Sequence, residues 1–315
     1  MYMQLHLHVC ANNLACFFAR ISLPGPVHRA ARPTARAGLQ KMTCKGVCVR
    51  FSAFLFFVII FCRIFAPVKL IMDIGNTVIK MVAFRGDEPV EEVRVENGDR
   101  LGIEAFAGKH SFSRGIVGSV RDLTASEQAA LSALPFPVLR FSSDTPVPIT
   151  CRYRTPETLG SDRLAAVVGA SSLKPATDLL IIDAGTCITY EVIDARGNYW
   201  GGNIAPGMQM RLRALHEFTA RLPLVDAEGE VPGMGYSTET AIRSGVLRGM
   251  KYEIEGYIKS MRSKFPHLQV FLTGGNRINF DEDIKSLVHT DKYIVPRGLN
   301  KILDYNEELR IKNLE

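Results

Sequence analysis

The first 68 residues contain no aspartate or glutamate, against eight lysines and arginines, and this absence divides the chain in two. The formal net charge of +6 comes from that leader, because beyond it 30 basic residues face 32 acidic ones. No clustered positive excess remains to track a phosphate backbone, so nucleic acid is not expected as a partner. Cysteine is scarce outside the leader. Five of the seven (Cys10, Cys16, Cys44, Cys48 and Cys62) lie within it at spacings that match no zinc site. Cys151 and Cys187 read as reduced core or loop thiols, which implies a reducing, cytoplasmic compartment. A Gly-x-x-x-x-Gly-Lys run is missing altogether, which disfavours a Walker-type ATPase. Long apolar runs are missing too. Phe51 to Cys62 is nearly all apolar but ends at Arg63, short of the roughly 20 residues a spanning helix needs. No membrane partner is expected.

Three readings of the leader are open, in this order: a translated non-coding stretch or a start codon placed too far upstream, a targeting or anchoring segment, and an ordered extra domain. Residues 1–67 are accordingly expected to be disordered or not native, with Val68 or Met72 near the real start.

What is present is a repeated motif. Leu70-Ile71-Met72-Asp73-Ile74-Gly75-Asn76-Thr77 is echoed 110 positions later by Leu180-Ile181-Ile182-Asp183-Ala184-Gly185-Thr186-Cys187. Each is a buried-looking strand that delivers a carboxylate at its tip, with a glycine that lets the backbone turn sharply and approach a bulky anion. One copy would read as a hairpin with a polar turn. Two suggest a duplicated half-domain whose loops face each other across a cleft, suited to a polyphosphate and its metal ion.

The coarse pattern repeats as well. Strands are expected at Val68 to Asp73, Val78 to Phe84, Pro89 to Val95, Ile116 to Ser119 and Pro137 to Phe141. Helices are expected at Thr124 to Leu134, with Thr124 and Glu127 as a capping box, and at Gly160 to Leu173. The second half offers strands at Leu179 to Asp183, Ile188 to Asp194, Tyr199 to Ile204 and Val270 to Thr273, and a helix starting at Pro206. A long helix is expected from Thr238 to Lys264, where Ile242, Val246, Met250, Ile254, Ile258 and Met261 form a stripe read as core or subunit interface. The fold class is therefore α/β, a duplicated ribonuclease-H-like (actin-like ATPase) fold. Its two half-domains, 68–177 and 178–315, flank a nucleotide cleft. His216, on a helix, and His289, in a loop, lack metal-spaced partners.

Taken on residue type, Asp73 can hold a magnesium ion, and Asn76, Thr77 and Thr186 can hold phosphate oxygens. Lys80 adds a point charge, or is simply an exposed strand lysine. Asp162 can act as general base, and Arg163 has a planar fork suited to a carboxylate. Alone, Asp162-Arg163 reads as a first-turn acid with a structural ion pair. Tyr153 can close a pocket or fill a domain seam.

In order along the chain come Asp73-Ile74-Gly75-Asn76-Thr77 with Lys80, Tyr153-x-x-Pro156-x-x-x-Gly160-Ser161-Asp162-Arg163, Asp183-Ala184-Gly185-Thr186, Gly201-Gly202-x-Ile204-x-Pro206-Gly207, Ser237-Thr238 with Ala241-Ile242 and Ser244-Gly245, and Gly274-Gly275. From Val68 onward this series resembles the type III pantothenate kinase family, within the superfamily of acetate and sugar kinases, chaperone ATPases and actin. The resemblance implies ATP-dependent phosphorylation of pantothenate to 4′-phosphopantothenate, the opening step toward coenzyme A, with Asp162 as base. It implies ATP contacts at Asp73, Ile74, Gly75, Asn76, Thr77, Lys80, Thr186, Gly274 and Gly275. The pantothenate contacts it implies are Tyr153, Gly160, Ser161, Asp162, Arg163 and Thr238. It further implies Mg2+ at Asp73, a monovalent cation (K+ or NH4+) at Asp183, and a homodimer in which the partner's copy of Thr238 completes the site. Spacing alone would equally make Asp183 a second magnesium contact. Cys187 departs mildly from the small residue expected there.

Two alternatives are weighed. A non-catalytic regulatory protein on the same fold would be favoured by loss of an acidic residue, and none is lost. A superfamily kinase for another small hydroxy compound would not need the Tyr-Pro-Gly-Asp-Arg signature.

Overall fold

The computed structural model describes residues 66–276 and 278–314; the leader expectations lie outside these residues. Short, nearly continuous buried runs at their centres build two sheets. In the first, β1 (Val68–Ile74), β2 (Val78–Arg85) and β3 (Glu88–Glu96) form an antiparallel meander. β4 (Phe112–Ser119) and β5 (Val138–Arg140) then run parallel to β1, giving the order β3-β2-β1-β4-β5. In the second, β7 (Leu179–Ala184), β8 (Cys187–Ile193) and β9 (Asn198–Pro206) repeat the meander. β10 (Gln269–Thr273) and β11 (Val288–Thr290) add in parallel to β7. The order β11-β10-β7-β8-β9 mirrors the first sheet, and the two-residue β6 (Thr150–Cys151) extends it beyond β9. Strand by strand, the ribonuclease-H-like topology is present twice.

Helices cover the sheets in layers. α1 (Arg100–Lys109) and α2 (Ala125–Ser132) bury Ile103, Phe106, Ala130 and Leu131 with Leu70, Met72 and Met81 of the first sheet. The capping box at Thr124 and Glu127 is formed as the sequence leads one to expect. α4 (Met208–Glu217) and α5 (Thr238–Lys264) cover one face of the second sheet. Ile242, Val246, Met250, Ile254 and Ile258 of α5 are buried there and Met261 packs against them, so this stripe is the chain's own core and not a subunit interface. The helix expected from Pro206 begins at Met208, because Pro206 is still paired with Cys187 as the last residue of β9. His289 lies in β11 and not in a loop, with Nε2 2.9 Å from Gln269 Oε1.

Between the sheets lies a third core built on α3 (Ser161–Leu173) and α7 (Ile294–Lys312), the short α6 (Glu282–Lys285) preceding the latter. Leu164, Val167 and Val168 of α3 and Leu299, Ile302 and Leu303 of α7 meet Ile71 and Ile116 from one sheet and Ile181 and Phe271 from the other. Two glycines allow the helices to touch. A Cβ on Gly298 would stand 1.7 Å from the Ala165 carbonyl oxygen, and one on Gly169 would stand 2.0 Å from that of Ile294. This contact anchors the start of α3, where Asp162 sits. No helix among the described residues is long and apolar enough to cross a membrane.

Candidate active site

The two Asp-x-Gly loops occupy equivalent places, each joining the first two strands of its sheet. Asp73 and Asp183 lie near the ends of β1 and β7, opposite Lys80 and Thr189 respectively. Burial pushes the Asp73 carboxyl up to about 6, and the Asp162 charge adds to this. Asp183 is pushed up to about 7 by burial and then by the charges of Asp162 and Asp73. Asp162 is raised by burial as well, against the stabilising Arg163 amide, which donates to Oδ1 at 2.8 Å. Three carboxylates from three elements thus share one electrostatic environment, as groups do at functional sites.

Lys80 offsets that charge on both Asp73 and Asp183. Its ammonium donates to the Lys292 carbonyl at 2.7 Å and sits over the Tyr293 ring, 5.3 Å from the centroid. It is therefore tethered to the segment leading into α7, a partner absent from the sequence reading. Asn76, Thr77 and Thr186 are exposed at the loop tips. Gly274 and Gly275 follow β10, and Gly274 presses on the second loop, whereas a Cβ on Gly275 would meet nothing within 4 Å. Gly274 has φ +97°, and a Cβ there would lie 2.4 Å from the Ala184 carbonyl oxygen and 2.6 Å from Asp183 Oδ1. Only glycine tolerates both the backbone angle and the approach.

Gly160 is the N-cap of α3, and the Ser161 hydroxyl donates to the Ser119 carbonyl at 2.9 Å, tying α3 to the end of β4. Arg163 is turned into the protein. Its Nε and Nη2 donate to Glu191 Oε1 and Oε2 at 2.5 and 2.9 Å, and Tyr199 donates its hydroxyl to Glu191 Oε2 at 2.5 Å. The structural ion pair anticipated for Asp162-Arg163 thus exists, with Arg163 and not Asp162 as its member. Tyr153 lies on the same cluster, near-parallel to Tyr199 at 6.2 Å, with the Arg163 guanidinium 5.4 Å from its ring centre. Thr238 opens α5, is exposed, and makes no hydrogen bond to this cluster among the described residues.

Glu191, Tyr199, Arg121, Asn97 and Asn276 are absent from the sequence-derived site, yet all contact its parts. Arg121 Nε donates to the Gly75 carbonyl at 3.3 Å, Asn97 Nδ2 to that of Asn76 at 2.9 Å, and Asn276 Nδ2 to that of Gly185 at 2.9 Å. The only legible signal was the Asn that follows Gly274-Gly275. Among the described residues, no three His, Cys, Asp or Glu side chains form a ready-made metal cluster. The three carboxylates of Asp73, Asp162 and Asp183, which Lys80 offsets only in part, nevertheless fit a cation, since magnesium in kinases is held by one or two carboxylates plus substrate phosphates.

Comparison with known proteins shows the family. A family model described as type III pantothenate kinase matches residues 69–260. A type III pantothenate kinase of Bacteroides fragilis is 53% identical over 238 residues, covering 76% of this chain and 98% of its own. One from Phocaeicola vulgatus is 51% identical over 241 residues, covering 76% and 100%. Among solved structures, a Campylobacter jejuni chain described as a Baf family transcriptional activator superposes with TM-score 0.50 at 21% identity, over 76% of this chain and 99% of that one, a likeness of fold alone. The chain belongs to the type III pantothenate kinase family.

Proposed function

We propose that this protein transfers the γ-phosphoryl group of ATP to the terminal hydroxyl of pantothenate, forming 4′-phosphopantothenate, the first step of coenzyme A biosynthesis. The observation that carries the reading is the shared electrostatic environment of Asp73, Asp162 and Asp183, flanked by two glycine loops. The halves 68–177 and 178–315 supply one loop each. In-line transfer asks a protein mainly to position and to neutralise.

In this reading Ile74, Gly75, Asn76 and Thr77 hold phosphate oxygens from one side and Thr186 from the other, with Gly274 and Gly275 beside the adenosine end. Asp73 holds a magnesium ion and Asp183 a monovalent cation, K+ or NH4+. When bound, these cations neutralise charge building on the phosphate oxygens. Lys80, tethered to Lys292, contributes charge to the phosphate loop from the strand opposite Asp73. Asp162 accepts the proton of the attacking hydroxyl; its carboxyl need only be ionised and within hydrogen-bond reach. Gly160 and Ser161 set the start of α3 and thereby the position of Asp162.

Arg163 and Tyr153 form the wall that receives the acceptor. With Nε and Nη2 engaged by Glu191 and the side chain buried, Arg163 offers the substrate carboxylate its charge in this reading, a narrower role than a two-point clamp. Thr238 of the partner subunit would complete the pocket in a homodimer. A cytoplasmic location and the absence of nucleic-acid and membrane partners accompany this assignment.

Labelled ATP, pantothenate and Mg2+, with K+, NH4+ or Na+, test it directly. Labelled phosphopantothenate from the wild type, dependent on K+ or NH4+ and lost in Asp162→Asn, is the expected result. Nucleotide binding with no product under any cation would instead favour the regulatory reading or another acceptor.

A further inference from the structure

The duplicated fold repeats a device that holds its two loops. After β4, the Val120 amide donates to the Ile74 carbonyl at 3.2 Å and Arg121 Nε to that of Gly75 at 3.3 Å. After β10, which holds the place of β4 in the second sheet, the Asn276 amide donates to the Ala184 carbonyl at 3.0 Å and its Nδ2 to that of Gly185 at 2.9 Å. The next carbonyl is clamped equivalently. Asn97, just past β3, donates Nδ2 to Asn76 O at 2.9 Å and more weakly to Gly75 O at 3.4 Å, and Gly207, just past β9, donates its amide to Thr186 O at 3.0 Å.

A planar trans peptide points its C=O and its N–H in opposite directions. With the Gly75 and Gly185 carbonyls drawn back, the amides of Asn76 and Thr186 face the other way, and neither finds a backbone acceptor among the described residues. We propose that Arg121 and Asn276 are paired positioning residues that withdraw these carbonyls so that the two amides meet phosphate oxygens of the nucleotide. This rests on the nucleotide-binding reading above. Left free, either carbonyl could rotate toward the polyphosphate and repel it, so each latch selects a loop conformation instead of touching the ligand.

Arg121 is itself held. Its Nη1 and Nη2 donate to Glu127 Oε2 and Oε1 at 3.0 and 2.7 Å, and the same carboxylate accepts the Gly98 and Thr124 amides at 2.9 and 2.8 Å. The capping box of α2 therefore also braces the first loop.

The test compares wild type, Arg121→Met and Asn276→Ala in calorimetric binding of a nonhydrolysable ATP analogue and of adenosine. It also compares steady-state KM for ATP and for pantothenate. Each variant is expected to weaken the analogue and raise the ATP KM: about tenfold for Asn276→Ala, which loses a hydrogen bond and leaves the Gly185 carbonyl unpaired, and about threefold for Arg121→Met, because Asn97 Nδ2 still reaches the Gly75 carbonyl at 3.4 Å. Adenosine affinity and pantothenate KM should stay within about twofold, a split that general loosening of the fold would not produce. If Arg121→Met does not fold, Arg121→Lys keeps the charge without the planar fork and is expected to show the same split. Unchanged analogue binding in folded variants, or equal loss for analogue and adenosine, would overturn the proposal while leaving the function standing. A wild type that binds no nucleotide would overturn both.

Discussion

Arg163 and Glu191, 28 positions apart, form a bidentate ion pair in which neither side chain is more than 6% exposed. Arg163 follows Asp162 at the start of α3, and Glu191 lies in β8, so the pair ties the helix that carries Asp162 to the strand that leaves the second loop. Burial raises the Glu191 carboxyl even against its two partners. Removing the charge of one partner would strand the other.

Glu191→Gln is therefore expected to lower stability by about 3–5 kcal/mol. Tyr199→Phe, which removes one hydrogen bond to the same carboxylate, should cost only about 1 kcal/mol. Urea unfolding of both variants checks the ranking, and a Tyr199→Phe effect equal to that of Glu191→Gln would contradict it. Because the pair also aims Arg163, Glu191→Gln should raise the KM for pantothenate more than that for ATP.

The contact of α3 and α7 makes a second prediction. Gly298→Ala gains helix propensity but forces a Cβ against the Ala165 carbonyl. Overpacking should win, destabilising by about 3 kcal/mol. Gly256→Ala in α5, where a Cβ would meet nothing within 4 Å, should stabilise by up to about 1 kcal/mol. Thermal midpoints of the two variants should move in opposite directions.

Local chemistry was legible in the sequence, and long-range chemistry was not. The α5 boundaries follow from its 3.6-residue stripe, and the α2 start from Thr124 and Glu127, three residues apart. The paired Asp-x-Gly loops disclosed the duplication because each loop is a continuous segment. Glu191 sits in an apolar strand where nothing marks it as Arg163's partner. Lys69, buried against Asp304 with Nζ 2.7 Å from Oδ2, lies 235 positions from it. α7 itself went unread, since its glycine contact with α3 depends on a helix more than a hundred residues earlier. The methionines of α5 show the converse limit: periodicity identifies a buried face without saying what buries it.

Glu127 gives a pH prediction. The Arg121 hydrogen bonds, outweighing burial, hold its carboxyl at about 2. A folded pKa below the unfolded one gives stability that is fully present above the ordinary glutamate value of 4.5 and lost as pH falls toward 2. Between those limits the urea midpoint of the wild type should fall more steeply than that of Glu127→Gln. Parallel curves would show that the Arg121 pair contributes nothing.

Asp183 predicts the opposite sign. Its folded carboxyl, at about 7, lies above the ordinary aspartate value of 3.8, so the ligand-free fold loses stability as pH rises from one to the other. The penalty is complete above pH 7, where the charge is buried beside Asp162 and Asp73. Asp183→Asn removes that charge. The variant should unfold at a higher temperature than the wild type at pH 8, each kcal/mol relieved being worth about 2–4 °C for a domain of this size. Near pH 4 the two should unfold together, because the wild-type group is then protonated in the folded state. At pH 8 the gain should shrink when saturating KCl and Mg-ATP are added, since ligands that bind the wild-type folded state raise its midpoint. A variant less stable than the wild type at pH 8 in the absence of ligands would mean that Asp183 holds the fold together. The result expected here is a stability gain accompanied by loss of phosphoryl transfer, the signature of a carboxylate kept for its ligand.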